Sequence, residues 1–398
     1  MRTSSRVSRL AAAGLGLALA ASTASAQSSF TVGAQEVQVH GSIQQGFVVS
    51  DGNNFLTMDT ASGSAAMTDG AVNLSTQFGS KVRVGAQIYS RNIGQLGNGQ
   101  VQLDWAFADY KFNDAIGIRG GKVKTPLGLF NDTQDMEFLH TWALLPQGVY
   151  PLDLRSVTIA HIGADVYGTL KTRQAGSLHY TVYAGSIQDD TRGGYRYGVE
   201  DSGMRFDDGI STRGAGFDAR WSTPIDGLVA GYSLLRTSSD TRIAIPALGA
   251  LDVDIPTWNR QAVYGDFQRG RVRLSSEMRL STQKQEFSPA LLPASVRKGR
   301  SWFASGTVRV HDRVELGTYH SRLVSDTSLP SADVDNHIYD TAISGRVDLN
   351  RWWHVKVEGH FVDGNGSRTF TQGFYSRNNV EGLEPKTKML VIRTGINF

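Results

Sequence analysis

Residues 353–361 read WHVKVEGHF, and apolar and polar side chains alternate along this stretch. Apolar residues or glycine occupy the odd-numbered positions, and charged residues or histidine occupy the even-numbered ones. Successive side chains of a β-strand point to opposite sides, so this period of two predicts a strand with one apolar and one charged face. The same alternation recurs at 37–49, 82–89, 101–108 and 271–280. The pattern predicts an all-β protein.

The alternating segments predict about 16 strands. Strands of about 9–11 residues are long enough to cross a bilayer when they tilt, and outer-membrane barrels of bacteria have an even number of them. The expected strands are 37–49, 70–79, 81–90, 100–111, 115–123, 158–170, 177–186, 212–222, 228–236, 257–267, 271–281, 300–310, 313–323, 337–348, 353–362 and 387–398.

The connections between these strands alternate between short and long. The short ones carry the Gly, Asn, Asp and Pro residues that tight turns require. A soluble antiparallel sheet can also alternate in polarity, but it has no reason to place every long loop at one end. The spacing therefore predicts a transmembrane antiparallel β-barrel with short periplasmic turns and long extracellular loops. The long loops are expected at 50–69, 91–99, 124–157, 187–211, 237–256, 282–299, 324–336 and 363–386.

The first 26 residues have the three parts of a secretory signal peptide: basic residues, a short apolar run and a small-x-small site at 24–26. We expect cleavage after residue 26, which leaves one barrel domain, 27–398. The leader holds three Arg and no acid, so the mature chain has 37 basic and 37 acidic residues. This neutral balance gives no support for nucleic-acid binding. The absence of cysteine excludes disulfides, Cys-type zinc sites and thiol nucleophiles.

The last strand ends on an aromatic residue, Phe398. A terminal aromatic after an alternating strand resembles the end of Gram-negative outer-membrane barrels. The resemblance implies that Phe398 is an assembly signal read by the barrel assembly machinery.

Several short motifs resemble those of a little-characterised branch of the 16-stranded Gram-negative porins. They are VHG at 39–41, QGF at 45–47, DGNNF at 51–55, LDWA at 103–106 and GGKVKTPLG at 120–128. The resemblance covers 37–398 in architecture. It implies passive diffusion of small hydrophilic solutes, a homotrimer, and a third long loop folded inward to narrow the pore.

A barrel of about 16 strands is too wide for its own side chains to fill, so an aqueous channel is expected. Unpaired charges in a dry interior would cost several kcal/mol each, so a strongly charged inner face indicates a wet lumen or extensive pairing. Strand parity predicts the following inward-facing charges: Arg83, Asp104, Arg119, Asp165, Asp218, Arg220, Arg271, Arg273, Glu277, Arg279, Arg309, Glu315, Lys356, Glu358 and Arg393.

The third loop, 124–157, combines carboxylates with apolar stretches that an exposed loop seldom carries. We expect it to pack against the inner wall, with its carboxylates facing the basic row Arg271, Arg273 and Arg279. The alternative is that it packs outward, as a lid or at a subunit interface. Basic residues slightly outnumber acidic ones on the predicted wall, which favours a slight anion preference. The candidate constriction residues are Arg83, Arg119, Lys122, Lys124, Asp132, Asp135, Glu137, Arg155, Arg271, Arg273 and Arg279.

The chain lacks the short motifs of serine hydrolases, zinc proteases and phosphate-binding loops. A calcium-like start at 363–367 has Phe374, not Glu, at its twelfth position. We therefore expect no enzyme activity, no cofactor and no metal. The expected partners are outer-membrane lipid, lipopolysaccharide and small hydrophilic solutes, at the cell outer membrane. The alternatives are a surface receptor or structural barrel, or an outer-membrane hydrolase with a site assembled across strands.

Overall fold

The computed structural model describes residues 28–33, 35–246, 248–368 and 373–398. The predicted signal peptide, 1–26, lies outside the described residues. Almost all of the regular structure is β, as the alternation predicts. Within the described residues, one α-helix, α1 (Gly194–Asp201), and three 3-10 helices, Glu137–Leu139, Leu152–Val157 and Ser376–Asn378, lie between strands. In the described part of the chain, no helix is long and apolar enough to span a membrane.

The strands are numbered in chain order. They are β1 (Ser28–Val32), β2 (Gln35–Asp51), β3 (Ser64–Phe78), β4 (Val82–Ile93), β5 (Val101–Lys111), β6 (Gly117–Lys124), β7 (Ala160–Thr172), β8 (Gly176–Ile187), β9 (Arg205–Phe206), β10 (Ser211–Ser222), β11 (Leu228–Ile245), β12 (Gly249–Arg269), β13 (Val272–Ser288), β14 (Ser295–His311), β15 (Val314–Val324), β16 (His337–Asp348), β17 (Trp353–Asp363) and β18 (Lys386–Asn397).

Sixteen of these strands form one closed antiparallel barrel. Each pairs with its neighbour in sequence, except that β8 pairs directly with β10. The barrel closes where β18 pairs with β2, from Lys388 opposite Asp51 to Asn397 opposite Ser42. The two remaining strands are short additions: β1 folds back along β2, and β9 pairs with the distal part of β11. Full closure leaves the barrel wall without an open edge.

Each of the 16 predicted strands corresponds to one barrel strand, but β11, β12, β13 and β14 run well beyond their predicted ends. The predicted loops 237–256 and 282–299 are therefore mostly strand. Ser239–Ile245, for example, pairs with Gly249–Ile255. The outward residues of this hairpin, such as Asp252 and Asp254, are polar and exposed, whereas Leu251, Val253 and Ile255 on the other face are 0–8% exposed. The apolar outer face that marks a membrane-spanning strand is therefore missing here, and the segment does not match the expected pattern.

The two faces of the wall differ sharply. Apolar side chains such as Ile43, Val263 and Ile343 are 58–60% exposed, and they lie on the outer face. Polar and charged residues at the intervening positions are buried, including Lys356 and Glu358 at 0% exposure. This arrangement is inverted relative to a soluble protein, and it fits a wall between lipid outside and a polar interior.

The two ends of the barrel also differ. Short turns connect the strands at one end, where β2 begins and β18 ends. Gly227 shows why glycine is needed in such a turn: its φ is 80°, and a Cβ there would lie 1.9 Å from the Gln268 carbonyl oxygen. Long connections and projecting hairpins occupy the other end. We call these the short-turn end and the long-loop end.

Candidate pore constriction

The third loop, 124–157, contacts the inner face of the barrel. Phe130 and Tyr150 of the loop pack in one buried cluster with Tyr264 of β12 and Phe303 of β14. The rings of Phe130 and Phe303 stack with centroids 5.8 Å apart. Tyr264 and Phe303 point inward, since the residues next to them, at 263 and 302, lie on the outer face. The apolar residues of the loop are thus buried inside the barrel.

Charged wall residues satisfy the backbone of the loop. The Glu358 carboxylate accepts hydrogen bonds from the Ala143 and Leu144 N–H groups at 3.0 and 3.1 Å. Arg346 donates to two loop carbonyl oxygens, at 2.6 and 2.9 Å. An irregular segment inside the barrel has no strand partner for these groups, and leaving them unpaired would be costly. The wall ions therefore hold the loop in one position.

One buried cluster joins the two ends of the loop to the wall at β5. Arg155 donates two hydrogen bonds to the Asp104 carboxylate, at 3.0 and 2.7 Å, and lies 3.6 Å from Asp135. Asp135 also pairs with Lys124 at 2.6 Å. A register shift between β4 and β5 pairs Gln87 with residue 105 and the next residue with 103, which leaves Asp104 as an extra residue. This bulge directs the Asp104 carboxylate inward.

The charges of this cluster favour the ionised state of the loop carboxylate. Burial alone would raise the pKa of Asp135, but the Lys124 ammonium and the Arg155 guanidinium hold it below its ordinary value. Arg155 itself is 3% exposed and lies 3.8 Å from the centre of the Tyr89 ring. The cluster therefore has two cations facing two carboxylates, and it carries no large net charge into the lumen.

A second buried cluster joins the middle of the loop to β17. The Glu137 carboxylate lies 2.6 Å from the Lys356 ammonium and 2.7 Å from the His354 ring. Lys356 also donates to the carbonyl oxygens of Glu137 and Trp142, at 2.7 and 3.0 Å. Burial alone would raise the pKa of Glu137, but Lys356 and His354 hold it well below its ordinary value. The pair therefore ties the middle of the loop to the wall at β17.

The predicted opposition between loop carboxylates and the row Arg271, Arg273 and Arg279 is wrong. Arg279 pairs with Glu277 on its own strand at 2.5 Å and donates to two loop carbonyl oxygens. Arg273 pairs with Asp266 on β12 at 2.8 Å. Arg271 lies in the turn before β13, with its nearest acid 3.6 Å away. Each arginine of this row has an acidic neighbour of its own, so the electrostatic attraction between the row and the loop carboxylates is weak.

The remaining carboxylate of the candidate constriction set, Asp132, faces a different wall strand. It lies 4.0 Å from Arg220 of β10. Burial raises the pKa of Asp132, which Arg220 partly offsets. The three carboxylates of the candidate constriction set thus reach three separate arcs of the wall.

Two predicted cations lie on the short-turn side of the loop. Arg119 pairs with Asp109 at 2.9 Å, and both Arg119 and Arg83 place their guanidinium groups about 5 Å from the centre of the Phe107 ring. Arg83 is exposed to a cavity of about 740 Å³ between the loop and the short-turn ends of β2–β5. Within the described residues, Arg83 has no carboxylate within 4.0 Å.

Lys122 does not belong to this set. It lies opposite Ile162, which is 46% exposed on the outer face. Directly opposite residues share one face of a sheet, so Lys122 points outward. Its ammonium group donates to the Leu103 carbonyl oxygen and to Gln188. The prediction placed it in the pore because it precedes the loop, but Arg119 and Lys122 are three residues apart and cannot face the same side of a regular strand.

The terminal residue, Phe398, lies beyond β18 at the short-turn end. Its backbone N–H and C=O pair with Gly41, both at 2.9 Å. Phe398 is 43% exposed, and its ring fills the space beside Gly41 on the outer face, where a Cβ would lie 2.3 Å from the ring. The last strand is therefore in register up to its final residue.

The candidate set omitted several residues that hold the loop. Strand parity predicts Lys356 and Glu358 on the inner wall, and the alternation places His354 on the same face, but none of the three is in the candidate constriction set. Arg346 is in neither set. Strand parity could have placed Arg346 inward, because Val347 beside it is outward. No local signal could have shown which of these residues the loop would reach.

The buried histidines have protein partners. His354 bonds to Glu137, and His360 lies between Asp340 and Glu358, at 2.9 Å from each. Burial lowers the pKa of His140 in the loop to about 4, so this ring is neutral near pH 7. Among the described residues, no group of three or more His, Cys, Asp or Glu side chains is arranged to hold a metal ion.

A closed 16-stranded barrel with an apolar outer face, short turns at one end and a loop folded against its inner wall defines a class of structure. The chain has the fold of an outer-membrane β-barrel.

Comparison with solved structures agrees. OmpT, an outer membrane protein of Vibrio cholerae, matches with a TM-score of 0.59 and 10% identity, over 93% of this chain and 99% of the other. OmpF of Salmonella typhi, in complex with daunomycin, matches at 0.57 and 11%, over 93% and 100%. The outer membrane channel DcaP of Acinetobacter baumannii matches at 0.55 and 12%, over 93% and 99%. No protein-family model and no curated protein matches the sequence. At these identities the likeness concerns the fold.

Proposed function

We propose that the protein is an outer-membrane porin, a water-filled channel for passive diffusion of small hydrophilic solutes and ions, and not an enzyme. The observation that carries this proposal is the third loop, which is fixed across the inner wall by Glu137, Arg155 and their wall partners. A loop held in this way narrows the lumen without filling it. The cavity of about 740 Å³ beneath it is lined mainly by polar side chains.

The signal peptide, 1–26, exports the chain, and the barrel assembly machinery recognises its end at Phe398. The single domain, 27–398, assembles as a homotrimer in the outer membrane, in contact with lipid and lipopolysaccharide. A trimeric form of OmpT is among the solved structures with this fold, which supports the trimer.

The ion selectivity of the channel depends on which charged side chains in the lumen have no oppositely charged partner. Arg155, Lys356 and Arg279 are paired with carboxylates, so they add little to the potential that a passing ion meets. Arg83 faces the cavity without one. We therefore propose a slight anion preference, with Arg83 as a main contributor.

The test is single-channel conductance of the refolded protein in a planar bilayer, with the reversal potential measured across a salt gradient. Steady open steps in groups of three are expected, with a reversal potential of the anion-selective sign. Arg83→Gln should shift the reversal potential toward cations, whereas Lys122→Gln on the outer face should leave it unchanged. Folded protein that gives no conductance would refute the porin proposal, and equal effects of the two variants would refute the role of Arg83.

A further inference from the structure

The outer face of the barrel carries a compact group of cations at the long-loop end of β14 and β15. We call Lys298, Arg300 and Arg322 the basic patch. Lys298 and Arg300 are two residues apart on β14, so they share a face and their Cα atoms lie about 7 Å apart. Arg322 lies diagonally across from Arg300, at about 7–8 Å. All three side chains are exposed.

The register places this patch on the lipid-facing side. Arg300 lies opposite Leu280, and Trp302 lies opposite both Met278 and Arg322. Leu280 and Met278 are 43% and 44% exposed and belong to the apolar outer face. The next outward residues along β13, at 282 and 284, are Thr and Lys. The apolar band therefore ends at the level of Arg300, where lipid headgroups begin.

The patch is unbalanced in charge. Within the described residues, its three cations have no carboxylate oxygen within 4.0 Å. The neighbouring cation Lys284 has its own partner, Glu286, at 2.5 Å. Most cations in the lumen also have carboxylate partners. Three like charges this close repel one another, and an anion placed between them would relieve the repulsion.

The other side of the barrel shows that such an imbalance is not general. On β18, at the same end, the outward Lys386 lies opposite Asp363, and Lys388 lies opposite Asp51. Each of those two cations lies directly opposite an acidic residue, whereas none of the residues directly opposite the patch cations is acidic. The basic patch therefore lacks the cross-strand compensation that these two lysines of β18 have.

We propose that the basic patch is a binding site for the phosphate groups of lipopolysaccharide in the outer leaflet. This inference rests on the proposed outer-membrane placement with the long loops outside. Arg binds phosphate through paired N–H groups, and basic clusters at the headgroup level bind anionic lipids. Trp302 adds an aromatic side chain at the interface, where its ring contacts the acyl–headgroup boundary.

The test measures binding of purified diphosphorylated lipid A to the refolded full-length protein in detergent, with divalent cations chelated so that only direct contacts count. The triple variant Lys298→Gln, Arg300→Gln, Arg322→Gln should bind about tenfold or more weakly, since each removed contact is a hydrogen bond between charged groups. The matched control Lys386→Gln, Lys388→Gln should bind as the unmodified protein does. Dephosphorylated lipid A should bind the unmodified protein and the triple variant equally weakly.

Three results would overturn the proposal: unchanged affinity in the triple variant, an equal loss in the control, or equal affinity of the unmodified protein for dephosphorylated lipid A. The last would show that the cations only extend toward the interface without recognising phosphate. The single-channel conductance of the triple variant should match that of the unmodified protein. Because lipid binding is measured without reference to conductance, its failure and the failure of the porin proposal can be told apart.

Discussion

The tie between Glu137 and Lys356 can be broken by the substitution Lys356→Met. Methionine keeps most of the volume of the side chain but removes the ammonium group. The Glu137 carboxylate, 5% exposed, then keeps His354 as a partner but loses its cation, and two loop carbonyl oxygens lose their donor. Removing one partner of a buried ion pair costs about 3–5 kcal/mol, because the other charge stays buried without compensation.

This loss should appear as local opening of the third loop, since the barrel wall does not depend on the pair for its strand pairing. At about 1.4 kcal/mol for each factor of ten, a loss of 3 kcal/mol speeds amide exchange through local opening about a hundredfold. The amides to follow are Ala143 and Leu144, which donate to Glu358 in the same part of the loop. Hydrogen–deuterium exchange of the peptide that contains them gives the rate.

Two further variants test whether the Glu137–Lys356 pair itself holds the loop. The double variant Glu137→Gln, Lys356→Met removes both charges, so it should recover most of the protection that the single variant loses. Lys122→Met removes an ammonium group from the outer face, and it should leave exchange in the loop unchanged. Exchange in the Lys356→Met loop at the rate of the unmodified protein would show that the pair does not hold the loop.

Three other outcomes are expected. Asp135→Asn should destabilise the loop, because Lys124 and Arg155 stabilise the ionised carboxylate and hold its pKa down. Asp153→Asn should be neutral or stabilising, because burial raises the pKa of that carboxyl. Thermal unfolding of the two variants compares these effects. The stabilisation from Glu137 should be complete above the unfolded-state pKa of about 4.3 and should decline as the pH falls below that value, because the folded-state pKa is the lower of the two. Amide exchange of the loop, measured from pH 6 downward and corrected for the intrinsic rate, should become faster as this stabilisation is lost. A flat profile would contradict the prediction. Gly121→Ala should reduce the folded fraction, at a cost of about 1–3 kcal/mol, because Gly121 has φ 131° and a Cβ would lie 2.2 Å from a carbonyl oxygen; Gly359→Ala, which meets nothing within 4 Å, is the control.

The wall could be predicted from the sequence because each strand residue faces either lipid or the polar interior. The polarity of the residues therefore alternates with a period of two, as at 353–361, and this pattern does not depend on which strand is the neighbour in the sheet. The same reasoning explains the misread hairpins of β11–β14. Beyond the apolar band the outward residues are polar, so the segment 282–288 looks like a loop although it is a strand.

The contacts of the third loop could not be predicted in the same way. Parity indicates that Lys356 and Arg279 both point inward, but it does not say which of them Glu137 meets. That depends on how far along the lumen the loop extends before it turns, and on which wall cations are already neutralised by a neighbour. Arg279 pairs with Glu277 two residues away on its own strand. Lys356 also has an acid two residues away, Glu358, yet it pairs with Glu137 of the loop instead.

The charges of the wall therefore serve two purposes that the sequence does not separate. One group, Glu358, Arg346 and Lys356, forms hydrogen bonds with the loop backbone and an ion pair with the Glu137 carboxylate. These contacts set the position of the constriction. Arg83 is left facing the cavity, and its field acts on whatever passes. A substitution in the first group should change the width and steadiness of the channel, and a substitution at Arg83 should change the preferred ion sign. Counting inward charges, as strand parity does, treats these groups alike, so only the pairing geometry shows which charge selects and which charge holds.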